Sequence, residues 1–398
     1  MKTLRQLFLE HNAQTTDFPL MLEIAKAEGI YLYDQEGKKY IDLISGIGVS
    51  NIGHSNPKVI DAISKQAAAY MHLMVYGEYI QTPQVRYAEA LAKFLPESLN
   101  SIFFLNSGSE AIEGAMKLAK RVTGRTEIIA CKNSYHGSSQ GSLSIMGNEE
   151  YKMAYRPLLP DISFIRYNEM EDIPLITSLT AAVFIETIQG ESGVTIPNKE
   201  YLQALRKRCD ETCTLLVFDE IQCAFGRTGK LFAFENFDVI PDVLVLAKAL
   251  GGGMPLGAFC ASSKLMSVLK ENPILGHIST FGGHPVCCAA GLAAFTFLTE
   301  NKLPQSVARK SELFKELLVH PLTSEFRGIG LMMAIQLPDF ETLKNVIDRS
   351  IQKGVITDWF LHNNNSMRLA PPLIITEDEI REACGVILES MGEVMKSI

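Results

Sequence analysis

Long apolar runs are missing from this chain. Nowhere in its 398 residues do about 18 apolar residues follow one another, so no segment reads as a membrane span. The amino-terminal MKTLRQLFLEHN has a three-residue apolar run before Glu10, too little for the core of a signal peptide. Basic residues are in deficit: 37 Lys and Arg face 45 Asp and Glu, a formal charge of -8. That balance argues against a nucleic-acid or anionic-membrane partner, and any positive potential for an anionic ligand has to be local. The eight cysteines form no CxxC pair and no Cys/His set with metal-ligand spacing, so no metal site is expected. Most sit among apolar or small residues, which suits free thiols in a reducing compartment, and a cytoplasmic location is expected. A dinucleotide GxGxxG and a P-loop GxxxxGK[ST] are also absent, and the missing GxGxxG disfavours a nicotinamide dehydrogenase.

What the chain does have is bulk and strand–helix alternation. Hydrophobic residues make up 47% and charged ones 21%, ordinary for a globular protein whose length predicts two to three domains. The organising stretch is 219–253. Leu215-Leu216-Val217-Phe218 runs into Asp219, and Val243-Leu244-Val245-Leu246-Ala247 runs into Lys248. Such runs are expected of parallel strands buried on both faces, and ligands bind at the carboxyl ends of such strands. A carboxylate and an amine there face one crevice, and Gly251-Gly252-Gly253 permits close backbone approach. A lysine so placed can form a Schiff base and a buried Asp can keep a pyridinium protonated, although the same pair also serves as a structural ion pair.

Along the chain, residues 1–50 read as a helix followed by short strands with a turn at 34–37. The bend Ser45-Gly46-Ile47-Gly48 is either a ligand contact or a simple turn. Ile102-Phe103-Phe104-Leu105 reads as a strand, Asn106-Ser107-Gly108-Ser109 as a tight turn, and 110–122 as a helix. Strand, small polar loop and helix can hold a phosphate on free backbone N–H groups; equally, the SGS segment can be a plain N-cap. A strand at 127–130 leads to Tyr135-His136-Gly137, where an aromatic face could stack on a flat ring or lie in solvent. A strand at 181–187 carries Glu186, and 199–212 reads as a helix. Strand–helix alternation over roughly 100–260 implies one large parallel sheet wrapped by helices. Residues from about 300 read as a smaller α+β unit, with helices at 305–319, at 340–353 and from 377, and a strand at 330–337.

Together the segments GIGVSNIGHSNP, NSGSEAIEGAMKLAK, SYHG, IETIQGESGV, LLVFDEIQCAFGRTGKLFAFE, LVLAKALGGGMPLGA, HISTFGGHP and RLAPPLIIT resemble the class III, fold-type I, pyridoxal-phosphate aminotransferases, in particular the ornithine/acetylornithine group. The resemblance spans nearly the whole chain. It implies an α/β fold with a mostly parallel, seven-stranded sheet in a large cofactor-binding domain at 51–300. A smaller α+β domain would be drawn from both ends, 1–50 and 301–398. It implies that Lys248 bonds pyridoxal phosphate and shuttles the reacting proton, with Asp219 on the pyridine nitrogen. Gln222 would donate to the ring's phenolic oxygen and Tyr135 would stack on the ring. Ser107, Gly108 and Ser109 would hold the phosphate, with Thr280 contributed by a partner subunit, hence a homodimer with shared sites. Arg368 would take a substrate carboxylate, Glu191 would pair with it and swing away when glutamate binds, and Ser279 would lie on the substrate side.

The implied activity is a ping-pong transfer from an ornithine- or acetylornithine-like ω-amine to 2-oxoglutarate. The alternatives are another donor (4-aminobutyrate, lysine or a diamine) or an aminomutase on the same fold. Three positions depart from the pattern: Ala224 stands where glycine is usual, His284 where asparagine is common, and the third bears on the substrate. The arginine that commonly follows the aromatic-His-Gly motif, and takes a substrate carboxylate, is Ser138 here. Losing that guanidinium removes roughly 1.5–3 kcal/mol of charge-assisted hydrogen bonding unless another group replaces it.

Overall fold

Five of the short aliphatic runs become neighbouring parallel strands. The computed structural model describes residues 2–75 and 77–397. Three strands near the amino terminus, β1 (Ile24–Glu28), β2 (Tyr31–Asp34) and β3 (Lys39–Asp42), form an antiparallel set with its tight turn after Asp34. The central strands are β4 (Ser101–Leu105), β5 (Glu127–Cys131), β6 (Ile162–Ile165), β7 (Thr180–Glu186), β8 (Leu215–Asp219), β9 (Val243–Leu246) and β10 (Gly257–Ala261). Among the described residues they make one seven-stranded sheet in the order β4-β10-β9-β8-β7-β5-β6. β5 through β9 pair in parallel, and β10 alone runs against its neighbours β9 and β4.

Alternation along these strands sends successive side chains to opposite layers, the period-2 rule of a pleated strand. Ile129, Val183, Ile185, Leu216, Phe218, Leu244 and Leu246 belong to one apolar cluster. Ile128, Ala182, Phe184, Val217, Val243 and Val245 belong to the other. Every residue of β7 and β9 is buried. Helices cover both faces, so the sheet has no wet side. Burial of each such Val, Leu, Ile or Phe contributes roughly 1.5–3 kcal/mol. The core therefore fixes the sheet, and with it the line along which its carboxyl ends lie.

The carboxyl-terminal strands β11 (Glu325–Ile329), β12 (Met332–Gln336), β14 (Trp359–Phe360) and β15 (Asn363–Leu369) form an antiparallel sheet, order β11-β12-β15-β14. The two-residue β13 (Val355–Ile356) instead pairs in parallel with β3. Ala370 N donates to Leu43 O at 2.7 Å and Leu373 N to Asn51 O at 2.8 Å, so both ends of the chain meet. Arg227, fully buried, ties them to the large sheet through Asn51 Oδ1, Leu331 O and Pro371 O. Among the described residues no helix is long and apolar enough to cross a membrane. All eight cysteines are free, and all but Cys213 are buried.

Candidate active site

Five strand ends deliver the site. Because β10 runs antiparallel to both its neighbours, β4 points the same way as β5, β7, β8 and β9. Leu105, Cys131, Glu186, Asp219 and Leu246 therefore end on one edge. Beyond these ends lie the loops carrying Ser107 to Ser109, Tyr135, Glu191, Gln222 and Lys248, and all of these residues line one cavity of roughly 510 Å³. That volume lies within the usual range for small-molecule sites, about 300–1,000 Å³.

Ser107 is the N-cap of the helix Gly108–Thr123, its Oγ accepting from Glu110 N at 3.2 Å. The capping reading of SGS is therefore correct, and it leaves the N–H groups of Gly108 and Ser109 without intrahelical partners. Such a helix start carries partial positive charge suited to an anion. Gly137 stands opposite with φ at +125°, and a Cβ there would sit 2.1 Å from Ser109 Oγ. The glycine keeps this end of the cavity open.

Asp219 is buried and both of its oxygens are engaged. Oδ1 accepts from Ile221 N at 2.9 Å, and Oδ2 lies 2.8 Å from His136 Nδ1. A carboxylate can only accept, so the histidine proton sits on Nδ1, and Nε2 is left buried without a partner. One strand over and in register with Asp219, Glu186 accepts from Tyr135 N and Gly190 N, both at 2.9 Å. Burial pushes the Glu186 carboxyl up to about 7, opposed by His136 and assisted by Asp219.

Lys248 follows β9 at φ +52°, a left-handed conformation that a side-chain-bearing residue rarely adopts. Strain of this kind collects at functional sites. Its amine has no hydrogen bond or ion pair with another described residue, and burial lowers its pKa; Arg368 adds to that effect while Glu191 opposes it.

Glu191, on the cavity wall, and Arg368, outside its lining, form a bidentate pair, Nη1 to Oε1 at 3.0 Å and Nη2 to Oε2 at 2.9 Å. Burial alone would raise the Glu191 carboxyl, but the guanidinium overrides it and holds the group at about 2. Gln222 donates to Glu191 Oε1 at 3.0 Å. Arg368 itself is directed by Asp358, whose Oδ1 accepts from Nε at 2.9 Å. Ser138, exposed, lies 3.3 Å from Tyr135 Oη through its Oγ. Ser279 Oγ accepts from Asn106 Nδ2 at 2.8 Å and, like Thr280, lies outside this cavity's lining.

The sequence model of the family Aminotransferase class-III matches residues 12–391. The chain belongs to the class-III aminotransferases. Among its relatives is the acetylornithine aminotransferase of Methanopyrus kandleri, 38% identical over 391 residues, covering 97% of this chain and 98% of that one. The putrescine aminotransferase of Pectobacterium atrosepticum is 39% identical over 386 residues, covering 92% and 81%. Among solved structures, the ornithine aminotransferase of Toxoplasma gondii superposes with a TM-score of 0.92 at 28% identity, over 100% of this chain and 97% of that one. The fold is that of the fold-type I transaminases, and the cofactor of the family is pyridoxal phosphate.

This aminotransferase has a donor set that fits that cofactor. The helix start suits a phosphate, the paired Asp219 a protonated pyridine nitrogen, the Tyr135 ring a flat heterocycle, and the unpartnered Lys248 amine a carbonyl. Sequence patterns had marked Lys248, Asp219, Tyr135 and the SGS turn. They give no sign of the roles of His136, Glu186 and Asp358, whose importance comes from contacts between separate segments rather than from local pattern.

Proposed function

We propose that this enzyme moves the amino group of an ω-amine donor, of the ornithine or acetylornithine type, to 2-oxoglutarate by a ping-pong mechanism. The observation that carries the reading is the Glu191–Arg368 pair beside Lys248. A pocket that takes an amine in one half-reaction and a carboxylate in the other needs a guanidinium that can be covered and uncovered. Pyridoxal phosphate, when bound, supplies a carbonyl that accepts the amino group and a ring that spreads the electron pair left by a departing C–H proton. Lys248 holds and moves that proton at the donor's amine-bearing carbon, a task for which its lowered pKa suits it. Asp219, oriented by His136 and the Ile221 amide, keeps a proton on the pyridine nitrogen. Ser107, Gly108 and Ser109 would hold the phosphate, Tyr135 would cover the ring, and Gln222, which donates to Glu191 here, would donate to the ring oxygen. Arg368 takes the carboxylate of glutamate or 2-oxoglutarate once Glu191 leaves it.

A homodimer with shared sites is part of the reading. Thr280 is exposed, beside Ile278 at 47% and Phe281 at 54% exposure. Packed against it is the segment of Met71, Leu73 and Met74, held by His72 Nε2 to Thr280 O at 2.8 Å and by the His72–Phe281 rings at 4.8 Å. An apolar surface of this kind fits cover by a second copy, which would bring Thr280 to the partner's phosphate. Free thiols fit a reducing, cytoplasmic setting.

Ser138 favours a second reading, in which the donor lacks the distal carboxylate, as a diamine does. The test is product analysis. The holoenzyme with 2-oxoglutarate is given ornithine, N-acetylornithine, 4-aminobutyrate or putrescine, and glutamate is quantified. Glutamate from the first two supports the main reading; glutamate from putrescine alone replaces it with the second.

A further inference from the structure

The strap 357–362 touches both members of the carboxylate gate, but on different edges. Glu191 covers the two terminal nitrogens of Arg368, the face a substrate carboxylate needs. Asp358 covers the opposite edge through Nε at 2.9 Å, and its backbone carbonyl accepts from Arg368 N at 2.8 Å. Trp359 O lies 3.4 Å from Nη2, and the guanidinium carbon lies 4.4 Å from the centre of the Phe360 ring. Glu191 is held by the same strap through Leu361 N to Oε2 at 3.1 Å and His362 N to its own carbonyl at 3.0 Å.

We propose that Asp358 is a positioning residue for the carboxylate-taking half of the reaction. It keeps the Arg368 fork aimed into the site during the interval when Glu191 has left and the substrate has not arrived. An arginine tethered only by its stem samples many rotamers, and bidentate recognition demands one planar orientation. A carboxylate on Nε fixes that plane without occupying the face. The backbone partners and the Phe360 ring limit the stem and the stacking plane but leave rotation about the last bonds to Asp358. The proposal rests on the reading of Glu191 and Arg368 given above.

Competition dictates how it is tested. Glu191 and the substrate carboxylate use the same face, so loosening the fork weakens both and the effects partly cancel. Nothing cancels once Glu191 is gone. The half-reaction of the holoenzyme with glutamate is therefore followed by cofactor absorbance in the Glu191→Ala background, alone and combined with Asp358→Ala or Asp358→Asn. Asparagine keeps an oxygen for Nε while discarding the charge; alanine removes both. The expected result is a KM for glutamate raised about tenfold or more by the alanine and within about threefold for the asparagine. The rise for a carboxylate-free amine should be at least tenfold smaller than that for glutamate. Asp358→Ser, whose hydroxyl is too short to replace the carboxylate, stands in if the alanine variant does not fold. Equal effects of alanine and asparagine, or equal effects on glutamate and the amine, overturn the proposal. Arg368→Lys separates the two levels. If it leaves glutamate's KM unchanged, the clamp reading itself fails and the proposal falls with it. If it raises that KM while Asp358→Ala does not, only the proposal falls.

Discussion

Asp219 and His136 are joined by a 2.8 Å hydrogen bond between Oδ2 and Nδ1, both side chains sealed from solvent. With Oδ1 on the Ile221 amide at 2.9 Å, the carboxylate has one orientation, fixed before any cofactor arrives. On the proposed reading, replacing it by Asn removes the charge that would keep a pyridine nitrogen protonated. The expected loss in kcat for Asp219→Asn is about 100-fold or more, the scale of a missing preorganised electrostatic contact. Steady-state kinetics with cofactor saturation checked by absorbance measure it, and a loss below tenfold contradicts the assignment.

Glu191→Ala uncovers Arg368 permanently. On the proposed reading, substrates that need the guanidinium gain and an ω-amine donor loses, so the ratio of kcat/KM for glutamate over that donor should rise about tenfold or more. That factor corresponds to about 1.4 kcal/mol of removed competition. An unchanged ratio would mean that the pair is structural.

Ser138→Arg reintroduces a guanidinium beside the Tyr135 hydroxyl. A charge-assisted hydrogen bond of roughly 1.5–3 kcal/mol predicts a KM for N-acetylornithine or ornithine lowered by about 10- to 100-fold, with little change for putrescine. A KM lowered equally for all donors, or for none, contradicts a carboxylate contact at this position.

Burial lowers the Lys248 pKa. The neutral amine is the reactive form and exists above the pKa, so a lowered value extends reactivity to lower pH. The rate at which cofactor-free protein takes up pyridoxal phosphate should fall as pH drops, with its midpoint below the ordinary lysine value of about 10.4. Stopped-flow absorbance across pH measures it. A midpoint at or above that value contradicts the burial effect.

Legibility in the sequence followed the range of the forces involved. The helix expected at 199–212 is Lys199–Thr212, and the runs ending at Asp219 and near Lys248 are β8 and β9, because continuous aliphatic runs report burial directly. β10, Gly257-Ala258-Phe259-Cys260-Ala261, carries no such run. Its residues are mostly small, and a Cβ at Gly257 would lie 2.1 Å from Ser107 O, so close approach to the SGS turn dictates composition there, not propensity. β15, which carries Arg368, begins with Asn363-Asn364-Asn365, and its partners β12 and β14 supply the order that local pattern does not. Asp358 and His136 were silent for the same reason: each matters through one contact with a residue distant along the chain or on a neighbouring strand.

The most direct test of the central claim is the cofactor's visible absorption in the purified holoenzyme given one amine at a time, with no oxo acid. The panel holds ornithine, N-acetylornithine, 4-aminobutyrate, putrescine and glutamate. A ping-pong aminotransferase loses the band with glutamate and with its donor, and regains it when 2-oxoglutarate alone is added after the amine is removed. A band that changes with no single amine, or is not restored by the oxo acid, contradicts the account.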